Sequence, residues 1–216
     1  PINREIAQTQ NHHARKCGAM SVSLNRFWKD GTLFFNRHKK NGKQAGEIVL
    51  NDIIQKAFIG TPYEGPVFNL PNDFYEDKYI RSYINIVLSW LIDFAFNGTG
   101  LSSTKKGEFS QEAFSIIDPT DSLWKQNIKM GKNPEIHSQL MENQDYKNGI
   151  QDGTTYIGVL YNKLKPDDPD PILVKARELA PQLEKQNESI GLGGGDHLGV
   201  AVYMLTFYKY VQDKWA

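Results

Sequence analysis

Apolar residues recur at helical spacing through most of the chain, and glycine- and proline-rich punctuation separates the segments they mark. Ala19, Met20, Val22, Leu24, Phe27 and Trp28 fall on overlapping i, i+3, i+4 rows, which predicts a first helix from about Ile6 to Lys29 that stops at Asp30-Gly31. A second helix is expected from about Glu47 to Phe58, with Ile48, Leu50, Ile53, Ile54, Ala57 and Phe58 on one face and Gly60 as its end. Between them, the basic run Asn36 to Lys43 reads as an exposed loop, with an anion or nucleic-acid patch as the alternative. A linker holding Pro62, Pro66 and Pro71 follows the second helix.

The third predicted helix, about Lys78 to Phe96, is apolar nearly all round, which places it at the centre of a bundle. Asp73 or Asp77 offers negative charge to its N-terminus, and Asn97-Gly98 closes it. Gly98 to Gly107 reads as a polar loop, with a short helix near Ser110 to Ile117. Asn133-Pro134-Glu135 has the pattern of a helix start. Thr154 to Tyr161 is β-branched and aromatic, and fits either a short strand or a helix. The stiff acidic linker Lys165 to Pro171 opens a helix from about Ile172 to Gln186, kinked at Pro181. Gly191 to Gly195 form a glycine loop, after which Asp196 caps a last helix from His197 to Trp215. The fold expected is mainly α: a single-domain bundle spanning residues 1–216, with roughly six to eight helices and long loops.

Composition narrows the class without naming a function. The hydrophobic fraction of 39% and the aromatic fraction of 12% suffice for a core, which argues against disorder. Twenty-five basic residues balance 25 acidic ones, a net charge of zero, which argues against a nucleic-acid module. No run reaches the ~18 apolar residues of a transmembrane helix, and the first ten residues, PINREIAQTQ, hold no apolar signal core. Compartment and oligomeric state are not legible. Asn97-Gly98-Thr99 and Asn187-Glu188-Ser189 match the glycosylation pattern, as two matches by chance would in an asparagine-rich chain.

Cys17 is the only thiol, so no intrachain disulfide forms. Arg15 and Lys16 beside it favour the thiolate, which can attack a carbonyl or ligate a soft metal or haem iron; the alternative is a small buried hydrophobe. His13 lies one helical turn before it, and the two make a possible two-ligand metal pair with no matching pair elsewhere in view. One nucleophilic reading pairs Cys17 with His197 as base and Asp213 as orienter, in a cysteine hydrolase or amidase. Glu135, His137 and Glu142 form a second candidate group, a carboxylate–imidazole cluster suited to proton transfer, against the plainer reading of a solvated helix face. Asp167, Asp168 and Asp170 look like a magnesium motif, but the prolines among them prevent one-face alignment and leave a solvated linker.

The run Leu24-Asn25, Gly31, Leu33, Arg37 and Asn41-Gly42-Lys43 resembles the N-terminal segment of the haem-thiolate peroxidases, the chloroperoxidases and unspecific peroxygenases. Glu135-Ile136-His137, with Asp145-Tyr146 and Gly149, is similar to that family's carboxylate segment. The pattern departs from the family at Lys16 and Gly18, where prolines flank the family cysteine, and at Ser138, which stands at a carboxylate position. The resemblance implies a helical fold, haem ligated by Cys17, Mg2+ near a propionate, and oxidation of apolar or aromatic small molecules by hydrogen peroxide. In that scheme Glu135, Glu142 or His137 moves the peroxide proton. Three readings therefore stand: this peroxidase or peroxygenase, the cysteine hydrolase, and a non-enzymatic helical binding protein.

Overall fold

A computed structural model of the chain describes residues 38–64, 70–96, 102–161, 163–164, 167–188 and 197–216. The expected first helix with His13 and Cys17, the glycine loop with Asp196, and Asn97 to Thr99 lie outside the described residues. Among those described there are eight helices and no strand, as a mainly α bundle requires.

Helix α1 covers residues 38–57, as His38–Ile48, a π-helical segment Val49–Ile54 and a last turn Gln55–Ala57. It begins inside the basic run expected to be an exposed loop, and Asn41 and Gly42 are buried there. The cause is contact with α3 (Ser103–Ile117). A Cβ on Gly42 would stand 2.5 Å from the Phe109 carbonyl oxygen, and one on Gly46 2.5 Å from that of Ala113. Two glycines one turn apart thus let the backbones meet, at a propensity cost of about 1 kcal/mol each. Gly60, by contrast, takes φ 82° in the turn beyond the helix. Gln212 from the last helix donates to the carbonyls of Ala57 (2.7 Å) and Ile59 (3.2 Å) at this end.

Helix α2, Lys78–Phe96, has the predicted bounds. Asp77 caps it, accepting from the Ile80 amide at 2.8 Å. Tyr79, Ile80, Tyr83, Ile84, Val87, Leu88 and Leu91 are buried, but the helix is not enclosed all round: Trp90 is 39% exposed and Asp93 faces solvent. Helix α3 starts at Ser103, so the end of the expected polar loop is helical. Asp118 then links α3 to α4 (Ser122–Lys132). Its carboxylate accepts from Thr120 Oγ1 (2.6 Å), the Thr120 amide (3.0 Å), Ser122 Oγ (2.8 Å) and the Leu123 amide (2.8 Å).

Asn133 caps α5 (Pro134–Glu142) through the Glu135 amide at 3.0 Å, with Pro134 in the first turn as predicted. Helix α6, Gln144–Leu160, takes in Thr154 to Leu160, so the strand alternative is set aside. Thr155, Tyr156, Ile157 and Val159 are buried in a helix that packs along α2, and that burial outweighs their β preference. Asp170 caps α7 (Pro171–Glu188), which carries Pro181 within it. Helix α8, residues 197–215, runs His197–Tyr203, a π-helical segment Met204–Tyr208, then Lys209–Trp215. Its Tyr203 hydroxyl donates 2.8 Å to the Ile53 carbonyl in the π segment of α1.

The closest pairings are α1 with α3, α2 with α6, and α7 with α8. One hydrophobic cluster runs through all three pairs, centred on Phe58, Phe74, Tyr83, Phe109, Tyr156, Tyr203 and Phe207. None of the described helices is long and apolar enough to cross a membrane.

Candidate functional site

On one side of the bundle α4 contacts α3, α5 contacts α6, and α4 and α5 contact each other. An open cavity of about 460 Å³ lies between α2, α3, α4 and α6, with α5 at its edge. On α2 its wall is Ser82, Asn85, Ile86, Ser89 and Ile92, positions three and four apart on a single helix face. Phe114 of α3 and Trp124 of α4 form an aromatic side, their ring centroids 5.7 Å apart. Met130 and Gly131 of α4 and Tyr146 and Ile150 of α6 complete the walls, and His137 of α5 reaches the same space.

The polar groups are few and mostly paired. Asn85 and Asn127 face each other across α2 and α4 in a reciprocal amide pair, at 2.9 Å and 2.8 Å. Such a pair satisfies one donor and one acceptor on each side chain and leaves one of each over for a third molecule. The Ser82 and Ser110 hydroxyls turn back to their own helices, donating to the carbonyls of Tyr79 (2.9 Å) and Lys106 (2.8 Å). The Tyr146 hydroxyl lies 3.8 Å from the Met130 sulfur. Burial pushes the Tyr146 phenol above its ordinary pKa, and the nearby Arg81 charge partly offsets that. The phenol is therefore a neutral donor at physiological pH.

The residues singled out from the sequence do not converge on this space as a group. Glu135, His137 and Glu142 all lie on the exposed surface of α5, and of the three only His137 lines the cavity. His197 opens α8, half-buried, with its Nε2 shielded and without a hydrogen-bond partner. Asp213 sits sixteen residues further along the same helix, roughly 24 Å away at 1.5 Å per residue. It pairs with Lys209 and does not orient the imidazole. Asp168 forms a turn, accepting from the Asp170 amide at 3.0 Å.

No protein-family model, no curated protein and no solved structure matches the chain. The site therefore has to be read from its own chemistry.

Among the described residues no three His, Cys, Asp or Glu side chains gather as a metal site. The cavity lining holds one imidazole and no cation or thiolate. It offers no cation for haem propionates, and Cys17 lies outside the described residues. What the lining does fit is an apolar body with a polar end: aromatic and aliphatic walls around a small number of oriented amides. Sequence reasoning passed over Asn85 and Asn127. The available signal was the polar series Ser82, Asn85, Ser89 at helical spacing within a largely apolar helix.

Proposed function

We propose that this protein is a helical binding protein for a small, largely apolar molecule, held in the cavity between α2, α3, α4 and α6. The observation that carries the reading is an open, largely apolar cleft of about 460 Å³ with the Asn85–Asn127 pair in its wall. Ligand pockets commonly span ~300–1,000 Å³ with such a lining. The test is titration with N-phenylnaphthylamine, whose emission rises on entering an apolar site. A saturable rise is expected in the native chain. Gly131→Trp, at a lining position where an added Cβ meets no atom within 4 Å, should weaken it by at least about tenfold. No saturable rise, or a rise that Gly131→Trp leaves unchanged, overturns the reading.

A haem-thiolate peroxidase or peroxygenase is the second reading, supported by the resemblance around Leu24-Asn25 and by the thiol of Cys17. Of the residues it names, His137 lines the cavity, while Leu24, Asn25 and Cys17 lie outside the described residues. It predicts a Soret band when haem is added to the purified chain, and the loss of that band in Cys17→Ala. A colourless product removes it.

A further inference from the structure

The Asn85–Asn127 pair joins two walls of the cleft. Asn85 stands on α2, and Asn127 stands on α4 three residues after Trp124, so amide and indole share the face of α4 that lines the space. Phe114 of α3 lines the same space, its ring centroid 5.7 Å from that of Trp124. The amides therefore adjoin an aromatic surface.

Two hydrogen bonds close the pair into a ring. Asn85 Nδ2 donates to Asn127 Oδ1 at 2.9 Å, and Asn127 Nδ2 donates to Asn85 Oδ1 at 2.8 Å. Neither side-chain amide makes another hydrogen bond among the described residues. In such a ring each outer edge carries the second N–H of one amide beside the second lone pair of the other. The nitrogen and oxygen are 2.9 Å apart on one edge and 2.8 Å apart on the other. A carboxylate offers only acceptors and would set an oxygen against the carbonyl; an ammonium offers only donors and would set a hydrogen against the N–H. Among the described residues no Asp, Glu, Lys or Arg lines the cleft to compensate either charge. The complement is a neutral group with N–H and C=O on one side. An open-chain secondary amide is trans and points the two apart, whereas a lactam ring holds them cis. Two-point pairing with the edge of a flat heterocycle is also how Asn and Gln read adenine.

We infer that the ligand of this cleft is a neutral, planar heterocycle with a lactam edge, its N–H and C=O paired with an outer edge of the Asn85–Asn127 ring and its face against Trp124 and Phe114. This rests on the reading of the cleft as a ligand site. It adds the polar group the ligand carries and the two residues that recognise it.

Three compounds of one bicyclic outline separate the edge from the body. Carbostyril is a lactam, coumarin has a ring oxygen in place of the N–H, and naphthalene lacks both groups. Equilibrium dialysis measures the affinity of each. The native chain should bind carbostyril at least about tenfold more tightly than coumarin. Asn85→Leu combined with Asn127→Leu replaces the pair by apolar side chains of similar size and strands neither amide. The double variant should bring carbostyril and coumarin within about twofold of each other and hold naphthalene at least as tightly as the native chain does. Equal affinities for carbostyril and coumarin in the native chain overturn the inference, and so does a preference that survives the double substitution. Saturable binding of N-phenylnaphthylamine in either case leaves the cavity reading standing, whereas failure of that probe and of all three compounds removes the two together. The native-chain ratio decides the matter even if the double variant does not fold.

Discussion

Gly149→Ala and Gly107→Ala are the same chemical change in two helices, and their effects on stability should have opposite signs. Alanine is favoured over glycine in a helix interior by about 1 kcal/mol, so propensity alone predicts that both substitutions stabilise. At Gly107 nothing lies within 4 Å of an added Cβ, and that gain should appear as about 0.5–1 kcal/mol. At Gly149 the Cβ would stand 2.1 Å from Ser82 Oγ and 2.4 Å from the Tyr79 carbonyl oxygen. The hydroxyl can rotate away, but the carbonyl belongs to the α2 backbone. To restore an ordinary contact of 3.4 Å, α2 must move about 1 Å off α6 along one of the bundle's most extensive contacts. Overpacking of this kind costs ~1–3 kcal/mol, and a backbone obstacle belongs at the upper end. After the propensity gain, Gly149→Ala should destabilise by about 2 kcal/mol, or roughly 4–8 °C in Tm for a chain of this size. Urea unfolding followed by far-UV circular dichroism measures both midpoints, with unchanged m-values confirming a common transition. Adding Ser82→Ala to Gly149→Ala should recover only part of the loss, because the carbonyl stays in place. If Gly149→Ala shifts the midpoint in the same direction as Gly107→Ala, the close-contact account of the α2–α6 pair is wrong.

The Asn85–Asn127 pair should behave as a unit: Asn85→Ala costs about 1–3 kcal/mol by stranding the Asn127 amide, and adding Asn127→Ala costs little more, so additive losses in a double-mutant cycle would refute a reciprocal pair. Burial pushes the Asp118 carboxyl up, but hydrogen bonds from Thr120, Leu123 and Ser122 outweigh it and hold its pKa below the usual carboxylate range. Its contribution is therefore complete above the unfolded value near ~3.9 and is lost as pH falls through the lower folded value. Asp118→Ala should cost about 1–3 kcal/mol at neutral pH, and the gap between variant and native chain should narrow in acid; a gap independent of pH counts against the cap. Asp152 has the opposite sign. Burial raises its pKa, the Tyr79 hydroxyl offsets part of that, and Asp170 adds to it, so its stabilising contribution is present below the unfolded pKa and is lost as pH rises through the folded one. Asp152→Asn keeps an acceptor for Tyr79 and removes the buried charge, so the urea midpoint should rise at neutral pH and match the native chain below about pH 4. A lower midpoint at neutral pH would show that the charge itself is favourable there.

Where the sequence carried its own boundary chemistry, the helices were legible. Lys78 to Phe96 follows from its apolar run with Asp77 at the start, α5 from Asn133-Pro134-Glu135, and α7 from Asp170-Pro171. Legibility failed at glycine. Gly42 and Gly60 look alike in a sequence, yet Gly60 turns the chain at φ 82° while Gly42 sits in a helix against Phe109. A glycine serving a turn and one serving a contact differ only in what lies opposite, and that is a long-range fact. The same limit hid the cavity. Ser82, Asn85 and Ser89 announce a polar face on α2, but the opposing walls come from α3, α4 and α6, whose arrangement no local pattern records. On α5 the seven-residue spacing of Glu135 and Glu142 does describe a helix face, and that face meets solvent; only His137 of the group was a site residue in this sense.

Ser82 joins the packing of the bundle to the shape of its cavity. The side chain lines the chamber, and it is also the nearest neighbour of Gly149 in the α2–α6 contact. Its hydroxyl is held to the Tyr79 carbonyl, so it stays close to its own helix. A bulkier residue there would fill one end of the chamber beside Tyr146 and at the same time push against Gly149. The two effects need not stay in proportion. Ser82→Ala removes the hydroxyl without adding volume and should leave probe affinity nearly unchanged. Ser82→Val adds a branch near Gly149 and should lower both stability and affinity. A chamber formed only by loose packing would instead tighten around the added methyl groups and gain stability as it lost volume. The close glycine contact opposes that outcome here, because the backbone against which the larger side chain would have to settle is already in contact: α2 and α6, two of the walls, cannot move closer together.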